Sequence, residues 1–384
     1  MDSGEFFRTL GARNFKNLRH ALSFGVRLAA ESLNVVTRRD APVRSIVISG
    51  SSGQHDTTHS GAVMPNGKIT DGSSARPDLE PLVAAIKAGD VASLQSVLNS
   101  TTNPEKLLAT KISQNQPTNH SIGKDATLLQ LASYRNWPGE NTASVLLKAG
   151  AELDIHSACG LGMAEEIESI LKNDPEQICA LVNTYYPLQY AITGKQVEAI
   201  ECLMRYDDNP NRDLKKMAYF GWEDEVVDTK YTPWKPIHMA SLWGFDASRI
   251  PVAECLAKHG ADLHAVSPLD GFRPIHLVAM PNRVDMIRFF VANGVDVDSR
   301  THKRDAIELS AENDGPVRGT ECTALMVACG EGFVEATQCL IELGADINAR
   351  NSEGKSPLDF AQARYWPGQP YDEVLQLLRN NGAK

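Results

Sequence analysis

Three histidines recur in one local frame: His156 in "LDIHSACG", His238 in "KPIHMAS" and His276 in "RPIHLVA". Regularly spaced imidazoles suggest a metal ladder, because zinc takes nitrogen, sulfur and carboxylate donors that converge on one point. Each histidine stands in a separate stretch of chain, and no carboxylate or cysteine joins it at ligand spacing. No metal is therefore expected. The seven cysteines show no C-x-x-C spacing, and Cys322 and Cys329 are too isolated for a zinc site. Most lie on apolar helical faces, where a thiol acts as a small hydrophobe. "SGSSGQHDTTHSG" places Ser, His and Asp close together, but a Gly/Ser-rich linker cannot hold a triad in register. The chain has no G-x-x-x-x-G-K, G-x-G-x-x-G after a strand, G-x-S-x-G or H-E-x-x-H. The residues thus predict a protein that is not an enzyme and carries no cofactor.

The frame around the histidines belongs to a longer pattern. "TALMVACGEGFVEATQCLIELGADINAR" runs from Thr323, with Ala328, Gly332 and Glu335 at fixed offsets and "GAD" at Gly344. The pattern recurs from Thr127, Lys235, Arg273 and Ser356, and more faintly from Glu80, Leu153 and Tyr186. That makes about eight copies, with two neighbouring spacings of 33 residues and insertions lengthening others. Each copy carries two short apolar blocks at helical spacing. Proline suits the first turn of the first block, and glycine suits the reversals that end both. One helix pair cannot bury its apolar face alone, so the copies must stack. The tripeptide WPG occurs twice, at Trp137 and at Trp366, each time in the loop between the two blocks. Proline stops the helix there and glycine permits the turn, so Trp137 and Trp366 are read as loop staples.

These residues resemble the ankyrin repeat family. "KPIHMA" and "RPIHLV" stand where its T-P-L-H-x-A stands, and "GADLH" and "GADINAR" where its hairpins begin. The resemblance covers residues 79–384 and implies an all-α repeat solenoid, a stack of helix pairs joined by short β-hairpin loops. It also implies that His238 and His276 are structural, bonding to neighbouring backbone between repeats. The binding surface of that architecture is concave, built by hairpin tips and the exposed side of the first helices. In this frame that side includes Tyr134, Arg135, Trp243, Glu331 and Arg364.

Departures from the repeat are where function becomes individual, because insertions map to surface loops. The insertion at 209–234 gathers aromatics, among them Trp222 and Trp234, beside acidic residues. It reads either as an interface cluster or as a degenerate helix pair burying its own rings. The insertion at 300–319 sets basic residues, including Arg304, before acidic ones. "QNQPTNHSIGKDA" reads as a long polar loop.

Residues 1–48 form an N-terminal extension, with Leu18, Leu22, Val26, Ala29 and Leu33 near one helical face, and 49–78 read as a flexible linker. Residues 1–44 hold eight Lys/Arg against four Asp/Glu, whereas the whole chain carries a formal charge of -10. The acidic balance disfavours nucleic acid. The basic helix could instead cap the first repeat or touch an acidic membrane surface. No secretory signal is expected at the start, and reduced thiols suit a cytoplasmic setting, with a secreted effector as the alternative. The functional expectation is a monomeric protein-binding scaffold. Its alternative is an enzyme-regulating or small-molecule-binding module using the 209–234 insertion, and a lesser one is a membrane-associated adaptor.

Overall fold

In the computed structural model, the described residues are 79–112, 125–134, 141–182, 184–214, 234–242, 249–267, 271–302, 320–363 and 368–384. All fall in one compact unit, Arg76–Lys384. The N-terminal helix and linker read from the sequence lie outside them.

The described chain is an all-α repeat solenoid of eight helix pairs. The pairs are α1 (Glu80–Ala88) with α2 (Val91–Ser100), then, after a short α3 (Pro104–Ala109), α4 (Leu128–Tyr134) with α5 (Asn141–Lys148). Next come α6 (Ile155–Leu161) with α7 (Ala164–Asn173) and α8 (Pro187–Thr193) with α9 (Val197–Arg205). Then follow α10 (Pro236–Leu242) with α11 (Ile250–Lys258) and α12 (Pro274–Ala279) with α13 (Val284–Ala292). The last are α14 (Ala324–Glu331) with α15 (Val334–Glu342) and α16 (Pro357–Ala363) with α17 (Tyr371–Asn380). First helices pack on first helices in the order α1, α4, α6, α8, α10, α12, α14, α16, and second helices α7 to α17 pack in their own row. Where β-hairpins were expected, the described connections carry only isolated antiparallel bridges, such as Val182 with Tyr185.

Local chemistry sets these helices. Proline opens α8, α10, α12 and α16, where a helix needs no N–H. Asp90, Asp154 and Thr323 cap α2, α6 and α14 by accepting backbone N–H bonds. Gly89, Gly162 and Gly332 end α1, α6 and α14 at φ 67°, 74° and 81°, the left-handed region that side chains resist. Gly160 serves differently. A Cβ there would stand 2.2 Å from the Ser133 carbonyl oxygen, so its absence lets α6 lie against α4.

Burial is continuous along the stack. One apolar cluster runs from Leu79 through Leu146, and a larger one runs from Ala126 to Leu378. They meet at α4, which gives Leu128, Leu129 and Leu131 to the first and Tyr134 to the second. No helix among the described residues is long and apolar enough to cross a membrane.

Candidate interaction surface

The fourth residue of a copy, where the histidines fall, does one job with several side chains. Its acceptor reaches back to the N–H of the residue that opens the copy. Gln130 Oε1 accepts from Thr127 at 2.9 Å, Gln189 Oε1 from Tyr186 at 3.0 Å, and Asp359 Oδ2 from Ser356 at 2.7 Å. His238 Nδ1 accepts from Lys235 at 3.0 Å and His276 Nδ1 from Arg273 at 3.1 Å. With Nδ1 accepting, the ring proton sits on Nε2. Nε2 of His238 then donates to Ala265 O at 3.0 Å, and that of His276 to Ser299 O at 2.9 Å and Cys322 O at 3.1 Å. His156 Nε2 faces Ala180 O and Tyr185 O, both at 3.2 Å. Each imidazole thus ties a helix start to the loop that leads into the next unit. Burial holds His238 and His276 down at about 4, well below the ordinary 6.5.

The hairpin tips are joined along the stack. Within a tip, Asp262 accepts from His264 N, Asp296 from Asp298 N and Asp346 from Asn348 N. Between tips, the residue two further on takes the next N–H. Asn211 Oδ1 accepts from Asp262 N at 2.7 Å, Asp298 Oδ1 from Asp346 N at 3.0 Å, and Asn348 Oδ1 from Lys384 N at 2.9 Å. Burial pushes the Asp298 carboxyl up, while the Asp346 N–H works against that shift. At the tip bases, Arg273 donates to His264 O, and Arg300 Nη1 donates to Glu321 O at 3.0 Å and Arg350 O at 2.8 Å. The tips therefore offer an ordered row rather than loose loops, in which Asp262, Asp296, Asp346 and Arg300 are exposed and Asn211, Asp298 and Asn348 are half-buried.

Insertions leave the stack at this same place. Ile112 N donates to Ala126 O and Asp125 N to Ile112 O, each at 2.9 Å, closing the stem of the polar loop before Thr127. Leu214 N donates to Trp234 O at 2.9 Å across the 209–234 insertion. Thr301 N donates to Cys322 O at 2.9 Å across the 300–319 insertion. All three bonded positions lie between a second helix and the next first helix, and the row of first helices continues across each.

The expected contact residues divide sharply. Tyr134 and Trp234 are corrected to core positions. Tyr134 is 4% exposed and meets the Tyr185 and Tyr190 rings edge-on, with centroids 5.2 and 5.0 Å away. Trp234 is 3% exposed and stands edge-on to the His238 ring at 5.4 Å. Both are large apolar rings next to a packing interface, and burial claims them before a partner can. Glu331 is half-buried at the end of α14. Arg135, Trp222, Trp243, Arg304 and Arg364 lie outside the described residues, as do the loop tryptophans Trp137 and Trp366. Gly368, which closes the second WPG, is in the left-handed region at φ 86°.

The profile described as Ankyrin repeat matches residues 320–352, and a second profile of the same description matches 270–299. These segments hold α14 with α15 and α12 with α13, each with its tip. The chain belongs to the ankyrin repeat family. Among curated relatives, human Ankyrin repeat and SOCS box protein 6 is 29% identical over 132 residues, covering 34% of this chain and 28% of that protein. Its Mus musculus counterpart is 27% identical over 187 residues, covering 48% and 40%. The Gallus gallus Nuclear factor NF-kappa-B p105 subunit is 26% identical over 187 residues, covering 44% and 17%. The chain thus spans less than half the length of each.

Sequence reasoning missed two groups. One is a buried aromatic cluster of Tyr134, Tyr185 and Tyr190 against His156. The other is Glu201, Cys255 and His259, whose donor atoms all lie within 4.8 Å of one another. "CLAKH" carries a C-x-x-x-H signal, but the carboxylate comes from the preceding unit and no local pattern finds it.

Proposed function

We propose that the chain is a scaffold whose chemistry is non-covalent recognition, with a protein partner held on the first helices, the hairpin tips and the insertions. The placement of the three insertions carries this reading. Each leaves the stack between paired backbone positions at a hairpin connection. Variation gathered on one kind of connection, above a regular framework, suits a surface specialised for recognition. Inward, the histidines and most cysteines serve packing and capping. The tips present mixed charge, and acidic Asp262, Asp296, Asp298 and Asp346 favour partners with basic segments. The relatives' names support a role exerted through other proteins, since the Mus musculus Protein phosphatase 1 regulatory subunit 27 is among them at 28% identity over 89 residues. Trp243 and Arg304 are the side chains proposed to meet the partner, being of the types that dominate binding energy.

The test is affinity capture from native lysate with the full chain beside its Trp243→Ala and Arg304→Ala variants. A protein recovered by the parent and lost from both variants, with thermal melting unchanged, is the expected result. Capture unaffected by either substitution would remove these residues from the surface. A melting temperature raised by a small molecule, with no protein recovered, would favour a ligand-binding module instead.

A further inference from the structure

Second helices α9 and α11 belong to neighbouring units and lie side by side. Cys255 and His259 are four residues apart at the end of α11, the spacing that puts two side chains on one helical face. The helical bond from His259 N to Cys255 O, 3.2 Å, holds that register. Glu201 projects from α9 toward them. The three donor atoms lie within 4.8 Å of one another. His259 Nε2 is shielded from solvent and has no hydrogen-bond partner among the described residues, although an imidazole nitrogen ordinarily finds one. Cys255 is 3% exposed.

We propose that Glu201, Cys255 and His259 form a zinc site that clips α9 to α11. A thiolate, an imidazole and a carboxylate make a borderline donor set that suits Zn²⁺ and not Mg²⁺ or Ca²⁺. Bonds of about 2.3 Å to sulfur and about 2.0–2.2 Å to nitrogen and oxygen set tetrahedral donors roughly 3.3–3.8 Å apart. The donors must therefore close by on the order of 1 Å, a movement that the half-exposed Glu201 side chain can make. The bonds formed are Zn–Sγ, Zn–Nε2 and Zn–Oε. The Cys255 thiol releases its proton to solvent, and water takes the fourth position. Lys258 is the built-in competitor. Its Nζ stands 2.7 Å from Glu201 Oε1, so it holds the carboxylate when zinc is absent and must release it when zinc binds.

The test is titration of the metal-free full chain with Zn²⁺ against a chromogenic chelator, with Co²⁺ as a spectroscopic probe. One equivalent should bind, and Co²⁺ should show a thiolate charge-transfer band. Cys255→Ala should abolish that band. His259→Gln and Glu201→Gln should each weaken Zn²⁺ binding at least tenfold, with helical circular dichroism retained. Lys258→Met should tighten binding, an effect that mere loss of structure cannot produce. Cys179→Ser, which removes the exposed thiol, should leave affinity unchanged. The proposal is overturned if binding survives His259→Gln and Glu201→Gln, if it follows Cys179, or if no equivalent binds.

Discussion

Lowering the pH from 7 to 5 should destabilise the stack through two buried histidines. In the folded chain His238 and His276 take their proton only near about 4, against 6.5 for a free imidazole. The geometry explains why. Nδ1 accepts the N–H of the residue that opens the copy, so a proton placed on it would face another proton and break the cap. The unfolded state therefore binds more protons, and stability falls as pH drops from about 6.5 toward about 4. At pH 5 the unfolded imidazoles are charged and the folded ones neutral, so each histidine removes about 2 kcal/mol relative to pH 7. Carboxylates held low by hydrogen bonds, Asp90 and Asp359 among them, titrate beneath this window. Asp208 and Asp298, pushed up by burial, act in the opposite sense. Urea unfolding followed by circular dichroism at pH 7, 6 and 5 measures the slope. Gln at this frame position accepts the same N–H in two other units. His238→Gln and His276→Gln should thus keep the caps while removing about one proton each from the slope. A stability that is flat between pH 7 and 5, or a double Gln variant that keeps the full slope, would refute the reasoning.

Other substitutions test the packing. Gly160→Ala places a methyl against the Ser133 backbone, 2.2 Å from its oxygen, and should cost about 1–3 kcal/mol or more in urea unfolding. Phe290→Ala empties a fully buried site in α13; about 3–5 kcal/mol should be lost, read as a lower melting temperature. Tyr371→Phe removes the hydroxyl that donates to Gly330 O at 2.8 Å and links α17 to α14. That change should cost about 1 kcal/mol, most visible as faster amide exchange in the final unit.

How much was legible follows from the range of each interaction. Proline at a helix start, glycine at a left-handed stop and apolar residues at helical spacing act within a few residues, so the eight helix pairs could be read directly. The recurrence of the histidines in frame was a local pattern, and their framework role followed from the family that the pattern resembles. Burial is a different matter. Tyr134 and Trp234 carry the residue types of an interface, and both are buried; the Tyr134 ring is covered by Tyr185 and Tyr190 from a later segment, whereas Trp234 meets the ring of His238 in its own segment. The insertions were visible as breaks in spacing, but the backbone pairs that close their stems join residues as far apart as Thr301 and Cys322.

The sequence by itself determined the repeating unit, its approximate number and the stacking that a one-sided helix pair requires. Only the tertiary structure decided which aromatics are core, that neighbouring tips are stitched through Asn211, Asp298 and Asn348, and that Glu201 meets Cys255 and His259. The physical reason is that a stack brings together equivalent places in successive units. Contacts between them depend on side chains from 36 residues apart, as for Asn348 and Lys384, to more than 50, as for Glu201 and Cys255, separations at which local pattern carries no signal.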